Sequence, residues 1–160
     1  MSDINWFKNE HRFLSNFVPV EVKLDGVTYP SVEHAYVAAK TLDLSLREKI
    51  RIIPTSGKVK RFGRKLVLRQ DWEDVKFDVM SSLLRQKFLQ EPFRTLLLET
   101  GESYLREGNY WSDRVWGCTL DPKTNTWVGE NNLGIMLMRI RDHLSLQVHT
   151  NKEVAISKNI

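Results

Sequence analysis

The chain has 160 residues, 41% hydrophobic and 28% charged, an ordinary globular composition with enough length for one domain around a real core. A net charge of +4 suits an anionic ligand, either a phosphate ester or nucleic acid, without choosing between them. The single cysteine, Cys118, excludes an internal disulfide and any Cys-rich metal site and points to a reducing compartment. No basic n-region and apolar h-region follow Met1, and no apolar run reaches bilayer length, so the expected location is the cytoplasm, off the membrane.

Phe13 to Phe17 mixes large apolar residues with turn formers and reads as a loop. Val20, Val22 and Leu24 alternate with Glu21, Lys23 and Asp25, the period of a half-buried strand. Asp25-Gly26 is a hairpin signal that returns the chain through Val27-Thr28-Tyr29. Ser31 is the expected cap of a helix running to Leu42, with Glu33 in its first turn, where a carboxylate suits the helix dipole. Ser45 and Glu48 have capping-box spacing, so a second helix is expected from Ser45 to just before Pro54. Residues 55–69, interrupted by Gly57 and Gly63, read as short helix or loop.

Asp71 is the expected cap of the clearest helix, whose stripe is Trp72, Val75, Val79 and Leu83, widened by Met80 and Leu84. A shorter helix opens near Pro92, presents Phe93, Leu96 and Leu97, and ends at Gly101. Residues 104–129 read as short strands and loops. The last helix starts near Asn131 or Asn132, with Leu133, Leu137, Ile140 and Leu144 along one face. Residues 147–160 show little periodicity and are expected to be a mobile tail, leaving 1–146 as the domain. The whole is expected to be a single, mainly helical α+β domain with a small N-terminal β-sheet.

Four groups of residues carry possible chemistry. Glu33 and Lys40 lie seven positions apart, close to two helical turns, with Tyr36 and Val37 near the same face. Spacing alone fits a solvated helix face more readily than a catalytic pair, because charges are usually exposed. His34 has no second His or Cys at metal-ligand spacing, so a structural or exposed histidine is the better reading and no metal is expected.

Residues 58–69 hold Lys58, Lys60, Arg61, Arg64, Lys65 and Arg69 with no acid. They fit a phosphate site, a nucleic-acid patch or a solvated basic face, and Gly63 beside Arg64 would let backbone approach a ligand. Glu107, Tyr110, Trp111, Asp113, Trp116 and Gly117 fall within eleven positions. Rings there can stack on a base while acids bind ribose hydroxyls, or the rings can be core anchors with acids facing out. There is no phosphate-loop or Gly-x-Gly-x-x-Gly signature, no cofactor is expected, and nothing near Cys118 in sequence activates it as a nucleophile.

Taken in order, these segments resemble the NADAR (NAD- and ADP-ribose-associated) family. The resemblance runs from Phe13 to Arg141. It is carried by Leu14-Ser15-Asn16-Phe17, Gly26, the run Pro30 to Lys40, Gly63-Arg64, Leu68-Arg69, Asp71-Trp72-Glu73, Met80 and Lys87-Phe88. It continues in Thr100-Gly101, Leu105, Glu107, Asp113-Arg114-Val115-Trp116-Gly117, Gly129 to Gly134 and Leu137 to Arg141. Two departures touch the base side of a pocket: Thr119 stands where a second glycine is usual, and the loop from Cys118 to Val128 is long.

The resemblance implies hydrolysis of an N-glycosidic bond between a base and a phosphorylated ribose or ADP-ribose. The substrates it implies are riboflavin-pathway ribosylamino-pyrimidine phosphates or ADP-ribosylated guanine, the latter free or within DNA. It also implies that Glu33, Lys40, Glu107 and Asp113 are catalytic, and that Asn16, Tyr36, Gly63, Arg64, Trp111, Trp116 and Gly117 bind substrate. Cleaving a ribosyl C–N bond builds positive charge at the anomeric carbon and negative charge on the leaving base. On that chemistry Glu33 or Asp113 holds ribose hydroxyls or activates water. Lys40 is the acid, or an amine that captures the opened sugar's aldehyde as a Schiff base. Arg64 holds phosphate and Trp116 stacks on the base. The rival reading is a non-catalytic module that binds ADP-ribose or a nucleotide. Nucleic-acid binding through residues 58–69, with steep salt dependence, is a third.

Overall fold

The computed structural model describes the backbone of residues 2–157 and the side chains of residues 2–148 and 150. The chain is α+β, and it forms two compact units, Arg12–Phe93 and Met1–His11 with Arg94–Ile160.

The first unit is built on the expected hairpin. Strand β1 (Pro19–Leu24) pairs antiparallel with β2 (Val27–Ser31), with Val22 opposite Tyr29 and Leu24 opposite Val27. Asp25 and Gly26 both take positive φ, 49° and 80°, the geometry of a two-residue turn that matches strand twist. Val20, Val22 and Tyr29 face inward. The segment before the hairpin is not all loop: a 3-10 helix spans Asn9–Leu14 and leads into the turn at Ser15-Asn16.

Helix α1 (Val32–Ala39) starts where Ser31 predicts, with the Ser31 side chain accepting from the His34 N–H at 3.1 Å. It ends three residues short of Leu42, and all eight of its residues are buried. The reason is its place: it packs against β1, β2 and three helices, α2 (Leu44–Arg51), α3 (Ser56–Gly63) and α4 (Trp72–Phe88). A Cβ on Gly63 would stand 2.8 Å from Val37 Cγ1, so the missing side chain is what lets α3 press against α1.

Two caps differ from expectation. Asp43, not Ser45, caps α2, its carboxylate accepting from the Ser45 and Leu46 N–H groups at 2.8 and 3.1 Å, while Glu48 turns forward to Arg51. Asp71 stands at the start of α4 but its carboxylate takes Arg69 at 2.6 and 2.8 Å and caps nothing. The stripe of α4 is also rotated: Trp72, Met80, Leu83, Leu84, Lys87 and Phe88 are buried, and Val75 and Val79 lie at its margin.

In the second unit Ile4 bridges Leu105 in parallel and Gly108 bridges Cys118. Strands β3 (Thr119–Asp121) and β4 (Thr126–Val128) form a short antiparallel hairpin, a second small sheet beyond the N-terminal one. Helix α5 (Phe93–Glu99) leads out of the first unit, and Gly101 with φ 55° follows it. Helix α6 (Asn132–Ser157) buries Leu133, Leu137, Ile140 and Leu144 as the periodicity requires. It passes the expected limit at residue 146, because no Gly or Pro follows Gly134 to stop it. The expected tail beyond Ser157 lies outside the described residues. No described helix is long and apolar enough to cross a membrane.

Candidate active site

In the first unit the candidate residues gather on α1. Glu33 sits in the first turn at 8% exposure, and its N–H donates to the Asn16 carbonyl at 3.1 Å. Tyr36 is one turn on, buried, and packed against Trp72 at 5.2 Å between ring centroids. Lys40 caps the helix, with its ammonium 5.4 Å from the Tyr36 ring centre, within cation–π range. An acid, a phenol and an amine thus lie along one buried helix. That removes the reading of α1 as a solvated face.

His34 is a satisfied core residue. Its Nε2 donates to the Ile53 carbonyl at 2.8 Å, which leaves Nδ1 to accept from the Ser31 hydroxyl at 2.6 Å. Both ring nitrogens are thereby spent on structure.

Asn16, 9% exposed, directs its amide nitrogen at Met80 Sδ, 3.5 Å away, and its buried Oδ1 has no hydrogen-bond partner. Gly63 is accounted for by packing on Val37. Arg64 is exposed at the C-terminal end of α3, where a cation complements the helix dipole. Of the other basic residues, Lys58, Arg61 and Lys65 are exposed, Lys60 lies 5.7 Å from the Phe17 ring, and Arg69 is tied to Asp71.

In the second unit the candidates cluster around Gly117. A Cβ there would meet the Glu107 carbonyl at 2.2 Å, the Glu107 carboxylate at 2.6 Å and the Asn109 amide at 2.8 Å. Glycine lets the carboxylate of Glu107 lie against backbone. Asn131, with φ 54°, braces Glu107 by accepting its N–H at 3.0 Å, and the Glu107 carbonyl accepts from Cys118 at 2.9 Å.

Asp113 spends Oδ1 on the Val115 and Trp116 N–H groups, 3.1 and 2.9 Å away. It therefore shapes the turn that carries Trp116, which is half-buried, while Trp111 is 50% exposed. Burial pushes the Cys118 thiol up, with Glu107 adding to the effect and Arg106 opposing it, so the thiol stays protonated and is no nucleophile. Among the described residues no group of three His, Cys, Asp or Glu is placed to hold a metal ion.

Sequence reasoning missed three bracing residues. Arg47, 6% exposed, donates from Nε to the Ala38 and Thr41 carbonyls at 3.2 and 2.8 Å and pairs with Asp25 at 2.6 Å, fixing the end of α1. Asn109 accepts from the Asp113 N–H at 3.0 Å and donates to the Asp113 carbonyl at 2.8 Å. Lys87 is fully buried in α4 and donates to the Ser15 carbonyl at 2.7 Å. Its signal was available: Lys87 lies three and four positions after Leu84 and Leu83, on the buried stripe.

The model of the NADAR domain matches residues 4–145. A riboflavin biosynthesis protein of Vibrio vulnificus (strain YJ016) is 36% identical over 137 residues, 84% of this chain; the chain spans only 36% of that longer protein. N-glycosidase YbiA of Escherichia coli (strain K12) is 37% identical over 149 residues, 90% of this chain and 89% of that protein. The NMR structure of E. coli YbiA superposes with a TM-score of 0.76 at 35% identity, covering 92% of this chain and 88% of the other.

Proposed function

The chain belongs to the NADAR domain family, and we propose that it is an N-glycosidase cleaving the bond between a nitrogen base and a phosphorylated ribose. The N-glycosidase activity rests on relatives of that name matched over nearly their whole length. The ribose-phosphate class, with ribosylamino-pyrimidine phosphates as its most direct members, follows from the family resemblance, and a relative named for riboflavin biosynthesis supports it. ADP-ribosylated guanine, free or in DNA, is the second substrate to test, since it presents the same ribosyl C–N bond. The free, buried Cys118 thiol supports action in the reducing cytoplasm.

The observation that carries the mechanism is the burial of Glu33 on α1 in line with Tyr36 and Lys40. A carboxylate held at a helix start and only 8% exposed supports a role in holding ribose hydroxyls or orienting water against an oxocarbenium-like carbon. Lys40 protonates the departing base, or its neutral amine adds to the opened sugar's C1 aldehyde and expels water to form a Schiff base that hydrolysis later releases. Tyr36, packed on Trp72, holds the Lys40 ammonium over its ring and limits where it can swing. In the same unit as α1, Arg64 is the candidate phosphate contact, from the exposed end of α3. In the second unit, taken by itself, Glu107, Asp113 and Trp116 are the candidate substrate contacts, Asp113 with one oxygen already committed to its turn.

The test is product identification by mass spectrometry on purified protein. A ribosylamino-pyrimidine phosphate and ADP-ribosylated guanine DNA are supplied in parallel, with Lys40→Ala as control. Release of ribose phosphate or ADP-ribose that disappears in the variant supports the proposal and names the substrate. Binding of ADP-ribose with no base released from either substrate would replace it with a non-catalytic binding module.

A further inference from the structure

Three consecutive carbonyls ahead of the hairpin each accept from a different helix. Ser15 takes Lys87 Nζ of α4 at 2.7 Å, Asn16 takes the Glu33 N–H of α1 at 3.1 Å, and Phe17 takes the Ser56 hydroxyl of α3 at 3.1 Å. Ser15 adds a local bond, its hydroxyl accepting from the Phe17 N–H at 3.2 Å. A turn this heavily tied is held for what it presents, and what it presents is Asn16.

The orientation of the Asn16 amide is decided by its neighbour. Nδ2 faces Met80 Sδ, a weak acceptor, and reversing the amide would set Oδ1 against sulfur lone pairs. Oδ1 is therefore the end left over, buried with no partner. A buried acceptor without a donor is costly, and the cost is recovered when a ligand brings an O–H or N–H to it. Ribose hydroxyls are such donors.

Of the three ties, the one from Lys87 is chemically the strangest. Burying a lysine completely is unfavourable, and a methionine would fill the space without removing a charge from water. Lys87 stands over the rings of Phe88 and Phe93, each 5.0 Å from its Nζ, and its hydrogen bond goes to backbone. Core packing alone gives no reason for an amine there.

We propose that Lys87 is a positioning residue for substrate binding: from within α4 it clamps the Ser15 carbonyl so that Asn16 offers Oδ1 to a ribose hydroxyl. This rests on the N-glycosidase reading for its substrate, but not for the clamp itself. Because Lys87 acts through Asn16, losing either has the same consequence, weaker substrate binding with little effect on the bond-breaking step. Losing both adds nothing.

The experiment compares wild type, Lys87→Met, Asn16→Ala and the double variant on a ribosylamino-pyrimidine phosphate, with folding followed by circular dichroism. KM is expected to rise about tenfold in each single variant, the worth of one buried hydrogen bond, with kcat within about threefold and no further rise in the double. A folded Lys87→Met with unchanged KM, or KM effects that multiply in the double variant, overturns the proposal. Should Lys87→Met not fold, Lys87→Leu, which also removes the donor to the Ser15 carbonyl, takes its place with the same criteria.

Amide hydrogen exchange at Glu33 reads the clamp without turnover, because that N–H is bonded to the Asn16 carbonyl. Exchange at least tenfold faster in the Lys87 variant supports the clamp even if no substrate is cleaved, and in that case only the enzymatic reading fails. Unchanged Glu33 exchange removes the clamp whatever the activity.

Discussion

Replacing Lys87 with methionine should change how stability depends on pH, and the size of the change follows from its burial. The amine is fully enclosed, and loss of water lowers its pKa from the ordinary lysine value of 10.5 to about 7. The Ser15 carbonyl favours the ammonium, but one neutral acceptor does not replace a hydration shell. Below pH 7 the lysine is protonated both folded and unfolded, and the fold bears the full penalty of a buried charge. Between pH 7 and 10.5 the unfolded chain holds a proton that the folded chain has released, so stability rises with pH.

The whole difference corresponds to roughly 5 kcal/mol, of which about 2 kcal/mol falls between pH 7 and 9. The assay is urea unfolding at pH 6, 6.5, 7, 8 and 9 for wild type and Lys87→Met, taking the difference at each pH so that other titrating groups cancel. Wild type should gain about 2 kcal/mol on the variant from pH 7 to 9, and almost nothing from pH 6 to 6.5. A difference that stays flat from pH 7 to 9 refutes the buried, depressed amine.

The close approaches around glycine make further predictions. Gly117→Ala sets a methyl against both the Glu107 carbonyl and its carboxylate and should cost about 2–3 kcal/mol by urea unfolding, with loss of turnover as Glu107 shifts. Within α3 two glycines should behave oppositely under the same assay. Gly57→Ala, which meets nothing within 4 Å, should stabilise by roughly 0.5–1 kcal/mol, whereas Gly63→Ala drives into Val37 and should destabilise by about 1–2 kcal/mol. Equal effects at the two positions would contradict the α1–α3 packing.

What the sequence revealed and what it hid divide along physical lines. The hairpin was legible because alternation and Asp-Gly are local signals, and the Ser31 cap because capping is a matter of one side chain and the next turn. The long final helix was legible through Leu133, Leu137, Ile140 and Leu144, but its end was not, since low periodicity does not stop a helix that lacks Gly and Pro. Caps were misplaced where a competing partner existed: Asp71 goes to Arg69, and Asp43 outcompetes Ser45.

The burial of α1 was hidden most completely. A helix enclosed on every side shows no amphipathic stripe, so Glu33 and Lys40 look like surface charges until the neighbouring helices are in place. Likewise no local rule says that Gly63 faces Val37 or that Gly117 faces Glu107. Those contacts join residues 26 and 10 positions apart.

Rate measurements on Glu33→Gln and Lys40→Ala, on the substrate that wild type cleaves, test the mechanism most directly. Glu33→Gln keeps the size and hydrogen-bonding reach of the side chain and removes its charge. Each variant should retain its circular dichroism spectrum and lose at least about 100-fold in kcat, the usual worth of one acid or base. Folded variants that both turn over at the wild-type rate would show that α1 does not carry the chemistry.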